Sequence, residues 1–68
     1  ALEDYYGAIS DYSKAIKIKA NDPNDVLAYA NRGIAKQRIS DMKGACSDWR
    51  MASSLGDEEA SNWVRKQC

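Results

Sequence analysis

The sequence predicts an all-α protein in which about four short helices form antiparallel hairpins. Three observations favour this fold class. The segment DYYGAISDYSKA at residues 4–15 recurs as DMKGACSDWRMA at residues 41–52, a repeat period of 37 residues, which is typical of stacked helical units. Apolar residues in both copies are spaced by three and four positions, as one face of a helix requires. Capping and turn residues separate the periodic segments, and no segment shows the alternation of a β-strand.

The first copy predicts a helix over residues 5–20. Asp4 stands in the position of an N-cap, and we expect Pro23 to end the helix because proline lacks the amide hydrogen. The apolar residues that share one face of this helix are Tyr5, Ala8, Ile9, Tyr12, Ala15 and Ile16.

A second helix is predicted over residues 26–38, with Asp25 as its cap. It is apolar over a wide arc, which indicates that it has neighbours on several sides. The arc comprises three lines: Tyr29 and Gly33; Leu27, Ala30 and Ile34; and Ala28, Ala35 and Ile39.

Two further helices are predicted over residues 42–55 and 58–67. Asp41 is placed to cap the first of them, and the letters LGD at residues 55–57 predict a helix end followed by a new cap. Because the connections are short, we expect neighbouring helices to be antiparallel. The apolar face of the last helix carries Ala60, Trp63 and Val64.

Composition excludes several classes of function. Ten basic and ten acidic residues give a net charge of zero, which provides no electrostatic drive toward nucleic acid or an anionic membrane surface. No apolar stretch is long enough to span a membrane. Histidine is absent, and with it the commonest general base and metal ligand. Two cysteines alone do not make a zinc site. We therefore predict no catalytic residues, no metal and no cofactor.

The stretch NRGIAK, followed by GACSDW, resembles the tetratricopeptide repeat family, and its bacterial members in particular. In that motif a bulky residue precedes a glycine by four positions in the first helix. Small, aromatic and small residues follow in the second helix. Tyr29, Gly33, Ala45, Trp49 and Ala52 fill these places in order. We expect Gly33 to let its helix approach Ala45, with Trp49 filling the space beyond.

The resemblance implies a right-handed α-solenoid, of which this sequence would be a fragment of about one and a half repeats. Residues 4–22 would be the second helix of an incomplete repeat, residues 26–55 one full repeat, and residues 57–68 a capping helix. Ala1 begins in the middle of the pattern, so we expect the parent protein to be longer.

Two features depart from the family pattern. The period exceeds the usual length of about 34 residues, and the extra residues fall near residues 20–22. Arg32 and Lys36 occupy places that usually hold Leu and Tyr. Either their apolar stems are buried while the charged ends reach solvent, or this hairpin packs more loosely than is usual.

The resemblance also implies a protein- or peptide-binding scaffold, in which the first helix of each repeat lines a concave face. An asparagine at the position of Asn31 grips a C-terminal carboxylate in some family members, and Arg38 could add charge-assisted hydrogen bonds. The alternative is that both are solvated residues without a ligand. For the whole chain, the alternatives are a structural spacer or assembly module, or a regulatory part of a longer protein whose activity lies elsewhere. The residues implied for the concave face are Leu27, Ala30, Asn31, Ile34, Gln37 and Arg38.

Aromatic residues could suggest stacking on bases or sugars, but their spacing favours packing in the core. We expect Tyr6 to be exposed. The residues expected in the core are Tyr5, Tyr12, Trp49 and Trp63.

Aspartate and serine recur together in both copies, but a serine nucleophile needs a neighbouring base, and no histidine is present. We therefore expect a solvated outer helix face for Ser10, Asp11, Ser47 and Asp48.

Cys46 and Cys68 lie at similar distances on either side of Gly56, so an antiparallel hairpin would bring them together. We hypothesise a disulfide that fixes the last helix; the alternative is a buried thiol at Cys46 and a free one at Cys68. A cytoplasmic protein would keep both reduced, whereas a periplasmic or otherwise extracytoplasmic protein would bond them.

The first helix lacks its partner in the implied hairpin. We expect one of its faces to be covered either by a second copy of the chain, giving a homo-oligomer, or by a segment that precedes it. The residues of this face are Tyr5, Ile9, Tyr12 and Ile16. The last helix has a polar outer side, as the end of a repeat array needs.

Overall fold

The computed structural model describes residues 2–18 and 25–68, which form four α-helices and, within those ranges, no strand. The predicted all-α fold class is confirmed. The helices are α1 (Leu2–Ile18), α2 (Asp25–Arg38), α3 (Met42–Ser54) and α4 (Glu58–Gln67).

The starts of α2 and α3 and the end of α3 agree with the sequence to within one residue, whereas the start of α1 differs more. That helix begins at Leu2, so the prediction that Asp4 is its N-cap is wrong. Asp4 instead lies in the first turn, where an acidic side chain still interacts favourably with the helix dipole. The prediction that Asp25 is the N-cap of α2 is also wrong, because Asp25 is the first residue of that helix. The predicted helix end near residue 20 and the role of Pro23 lie outside the described residues.

The two hairpin turns close by the same pair of hydrogen bonds. After α2, the amide of Ser40 donates to the carbonyl of Gln37 at 3.0 Å, and that of Asp41 donates to Lys36 at 2.8 Å. This pattern is the Schellman motif, which needs a left-handed residue just past the helix. Ser40 takes that role with φ 67°, and Gly56 takes it after α3 with φ 107°.

Each turn also supplies the cap of the next helix. The Asp41 carboxylate accepts a hydrogen bond of 3.0 Å from the amide of Gly44, and the Asp57 carboxylate accepts one of 3.0 Å from the amide of Glu59. Both bonds satisfy amides that have no partner within the helix. The predicted caps of α3 and α4 are therefore confirmed.

Helices pack in chain order, α1 against α2, α2 against α3 and α3 against α4. Residue pairs across the last interface show that it is antiparallel. Ser53 meets Ser61 near the turn, and Cys46 meets Cys68 at the far end. The resulting body is flat, with extents of 30 × 29 × 14 Å, so few positions lie far from solvent.

The core lies between α2, α3 and α4 and is built mostly from alanines around one indole. Trp49, at 1% exposure, is the only large side chain that is fully buried in the described chain. Its small neighbours in the core are Ala30, Ala45, Ala52 and Ala60. The half-buried residues packed around them are Val26, Tyr29, Ile34, Met42, Trp63 and Val64. Small residues at the centre let the helix backbones approach closely, so the indole can span the space between them.

Gly33 is a point of close approach between α2 and α3. A Cβ atom at this position would lie 2.5 Å from Nε1 of Trp49 and 3.2 Å from the carbonyl oxygen of Ala45. The expectation that Gly33 admits Ala45 and Trp49 is confirmed.

The structure corrects the expectation that the apolar face of α1 has no partner within the chain. All four residues of that face, Tyr5, Ile9, Tyr12 and Ile16, are half-buried. Ser13 lies one turn from Ile9 and Ile16 and accepts a hydrogen bond from Arg32, so this side of α1 faces α2. The more exposed positions are Asp11, Ala15 and Ile18. A homo-oligomer through this face stays a prediction.

Replacing Gly33 by alanine should destabilise the protein, although alanine favours helix more than glycine does. The new methyl group would overlap a buried ring and a backbone oxygen, and overpacking of this kind costs roughly 1–3 kcal/mol. Gly7 is the matched control, since nothing lies within 4 Å of a Cβ placed there. Gly7→Ala should raise stability by about 0.5–1 kcal/mol. Denaturant unfolding of both variants measures the difference, and a Gly33→Ala variant as stable as Gly7→Ala would contradict the close approach.

Candidate functional site

The side of α2 that faces neither α1 nor α3 is the candidate binding surface. It carries Leu27, Asn31 and Arg38, which are spaced by four and seven positions and therefore share one line along the helix. All three are exposed, and Leu27 keeps 70% of its surface in solvent. We call these three residues the α2 face.

The other residues implied for a concave binding surface are less accessible. Ala30 is only 5% exposed and belongs to the core, so its assignment to a binding surface is corrected. It turns inward because α3 and α4 cover that side of α2. Ile34 is half-buried against the same core. Gln37 is half-buried and donates to the Oε1 atom of Gln67 at 2.6 Å, which connects α2 to α4.

The α2 face offers an apolar contact flanked by hydrogen-bonding groups. Within the described residues, neither the amide of Asn31 nor the guanidinium of Arg38 has a hydrogen-bond or ion-pair partner. Asn31 can both donate and accept, which suits an extended peptide backbone or a carboxylate. Arg38 lies in the last turn of α2 and can hold a carboxylate through two parallel bonds.

On its inner side, α2 carries an ion cluster that the sequence did not lead us to expect. Asp48 of α3 is 3% exposed, so its predicted place on a solvated outer face is wrong. Arg32 donates to both oxygens of this carboxylate, from Nε at 2.8 Å and from Nη2 at 2.6 Å. Lys36 approaches one oxygen at 3.1 Å. The other residues of that prediction are exposed as expected: Ser10, Asp11 and Ser47.

The cluster extends to α1. Nη1 of Arg32 donates to the hydroxyl of Ser13 at 3.1 Å, and the guanidinium carbon lies 5.4 Å from the ring centre of Tyr29. The hydrogen bond to Asp48 is the main cause that raises the pKa of Arg32 above its ordinary value. Arg32 and Lys36 are therefore neither extended into solvent nor signs of loose packing, because a buried anion holds both.

Of the four aromatic residues expected in the core, Trp49 and Trp63 belong to it or pack against it, whereas Tyr5 and Tyr12 do not. The rings of Trp49 and Trp63 lie 5.2 Å apart at an angle of 51°, a tilted arrangement that is favourable for aromatic pairs. Tyr5 and Tyr12 are half-buried on the α2 side of α1, whereas Tyr6 is exposed, as predicted.

Cys46 and Cys68 form a disulfide in the structure, with their Cα atoms 6.0 Å apart. Cys46 is buried in α3 and Cys68 follows α4. The bond therefore attaches the end of the chain to the middle of the core helix.

Other kinds of site find little support in the described part of the chain. No group of three or more Asp, Glu or Cys residues there is placed to hold a metal ion. No helix within residues 2–18 and 25–68 is both long and apolar enough to cross a lipid bilayer. Comparison of the chain with models of known families, with curated proteins and with solved structures gives no match.

Replacing Asp48 by asparagine should destabilise the protein by roughly 2–4 kcal/mol, because two partly buried cations lose their anion. Asp11 is the matched control, since it occupies the equivalent position of the first copy and is exposed. Asp11→Asn should change stability by less than about 0.5 kcal/mol. Thermal and denaturant unfolding measure both variants. Equal losses in the two would show that the Asp48 cluster contributes no more than a surface charge.

Reducing the Cys46–Cys68 bond should lower the free energy of unfolding by roughly 3 kcal/mol, because the bond restricts the unfolded chain. The measurement compares denaturant unfolding with and without a thiol reductant. Cys68→Ser is the control: the reductant should not change its stability. Two reactive thiols in the unfolded, unreduced protein would contradict the bond.

Proposed function

We propose that this chain is a tetratricopeptide-like scaffold of helical hairpins that binds a protein or peptide partner. The binding element is the α2 face, and the bound segment is an extended peptide or a partner helix. The observation that carries the proposal is the exposure of Leu27, a large aliphatic side chain. It is aligned with Asn31 and Arg38, and the polar groups of these two residues have no partner in the described chain.

The mechanism that we propose is presentation of a rigid surface. Contacts on its other sides hold α2: Arg32 and Lys36 on Asp48, Gly33 against Trp49, and Gln37 on Gln67. A helix held in this way loses little conformational entropy when a ligand binds, because folding has already ordered it. The right-handed solenoid arrangement, in which α2 would line a concave face, is part of this proposal.

The face suits two kinds of ligand group. Leu27 would contact an apolar side chain, while Asn31 would bond to peptide backbone. Alternatively, Asn31 and Arg38 would together hold a C-terminal carboxylate. Peptides with a free or an amidated C-terminus distinguish these possibilities, since only a carboxylate site rejects the amide.

We infer that the chain itself carries no catalysis, because it has no histidine and Asp48, one of two buried carboxylates in the described residues, is held by Arg32 and Lys36. A role as structural spacer, and a regulatory role within a longer protein, are the alternatives. The Cys46–Cys68 bond favours an oxidising compartment, periplasmic or otherwise extracytoplasmic, and the thiol measurement above tests that premise.

Selection from a random-peptide library against the oxidised protein tests the α2 face. We expect peptides that bind saturably and whose dissociation constants rise at least tenfold in both Leu27→Ala and Asn31→Ala. Such a change corresponds to one well-packed side chain or one hydrogen bond in a contact of this size.

Tyr6→Ala is the control, because Tyr6 is an exposed large side chain on α1 rather than on α2. It should leave affinity unchanged. A library that yields no saturable binder, or binders that are indifferent to both α2 variants, would favour the structural-spacer alternative.

A further inference from the structure

Residue pairs form a line across the hairpin of α3 and α4. On α3, the members of this line are three and four positions apart, so they share one side of the helix. Outward from the turn, the line contains a pair of hydroxyls, a pair of indoles and a disulfide. These pairs are Ser53 with Ser61, Trp49 with Trp63, and Cys46 with Cys68. The covalent pair therefore lies at the end of α4 that is far from the turn.

The noncovalent contacts hold α4 only weakly. Ala60 is the one buried residue of this ten-residue helix, and Trp63 and Val64 are half-buried. A helix of this length is marginal in water without tertiary packing. The hydrogen bond between Gln37 and Gln67 is exposed and adds little, because water competes for the same groups. The position of α4 therefore depends strongly on the disulfide.

The other helices are held by contacts that do not involve α4. Arg32 of α2 binds Asp48 of α3 and Ser13 of α1. Gly33 packs against Ala45 and Trp49, which both belong to α3. If α4 separates, these contacts can remain, and we expect α1, α2 and α3 to stay folded.

The two cysteines differ in accessibility. Cys46 is only 8% exposed within α3, whereas Cys68, which follows α4, is exposed. In thiol–disulfide exchange a thiolate attacks one sulfur and displaces the other, and access influences which sulfur is attacked. The sulfur of Cys68 is therefore the one open to attack, and that of Cys46 is the leaving group.

We propose that the Cys46–Cys68 bond is a thiol-exchange switch, with Cys68 as the attacked site and α4 as the moving element. The reductant is a dithiol. One of its thiols loses a proton and attacks Sγ of Cys68; the bond to Cys46 breaks, and Cys46 leaves as a thiolate that takes up a proton. The second thiol then loses its proton and attacks its partner sulfur in the mixed disulfide, and Cys68 leaves and is protonated. Two electrons pass to the protein, and the reductant becomes a disulfide.

Reduction changes which surface the protein presents. Afterwards α4 is joined to α3 only through the turn at Gly56, so it opens and uncovers the side of α3 that carries Trp49. In the oxidised protein that indole is 1% exposed. The switch therefore hides or presents an aromatic surface, and it does not depend on whether the α2 face binds a peptide.

Amide hydrogen exchange, followed by NMR on the isotope-labelled protein with and without dithiothreitol, tests the switch. After reduction, exchange at Trp63 and Val64 should accelerate by about tenfold or more relative to Ile34 of α2, because α4 opens while the rest stays folded. Tryptophan emission should move to longer wavelength at the same time, since water then reaches both indoles.

Cys68→Ser is the control for the reductant itself. This variant should show fast α4 exchange without dithiothreitol, and adding dithiothreitol should change nothing. Brief reaction of the oxidised protein with glutathione, a monothiol, followed by an acid quench, identifies the attacked sulfur. Mass spectrometry of proteolytic fragments should find glutathione on Cys68.

Three results would overturn the proposal. The first is α4 amides that stay as protected as those of α2 after reduction, which would mean that noncovalent contacts suffice to hold the helix. The second is loss of protection throughout α2 and α3 as well, which would make the bond a constraint on the whole fold. The third is glutathione found on Cys46, which would reverse the assignment of the attacked sulfur.

Discussion

The close approach of α2 and α3 at Gly33 is the constraint on which the rest of the structure depends. Only a residue without a side chain leaves room for the buried indole of Trp49 and the backbone at Ala45. Once the helices are this close, Asp48 comes within reach of Arg32 and Lys36. The other helices then attach to this pair. The α1 helix joins it through a hydrogen bond to Arg32, and α4 joins it through the Trp49–Trp63 contact and the disulfide.

The ion cluster contributes more to the choice of packing partner than to net stability. Desolvating a carboxylate and two cations offsets much of their attraction, and a well-packed apolar set can be as stable as a buried ion pair. A set of apolar side chains, however, could pack against many different helices. A buried carboxylate rejects any helix that does not bring cations to it, since an unpaired charge costs several kcal/mol. The cluster therefore specifies that α3 packs against α2 in this register.

The sequence predicted the helices and their turns because those depend on local spacing and on single capping residues. It could not predict that Asp48 is buried while Asp11 is exposed, since the letters around the two residues are nearly the same and the difference lies in what covers each helix. A signal was present in Arg32 and Lys36, two cations four positions apart in places where the motif that the sequence resembles has Leu and Tyr. Their pairing with a buried anion accounts for both residues. Ala30 was misassigned for a similar reason, because its inward direction is set by α3 and α4 and not by α2 alone.

Several large aliphatic side chains are exposed in a body this thin. Only one large side chain is fully buried in residues 2–18 and 25–68, and folding gains little from Leu27 or Ile18 where they stand. Single exposed apolar residues are common and need no explanation, as Leu2 and Met51 illustrate. Leu27 differs because it is aligned with Asn31 and Arg38, whose polar groups are suited to a ligand. The internal repeat explains how similar letters form two helices, and the comparison of Asp11 with Asp48 shows that packing decides which copy is buried.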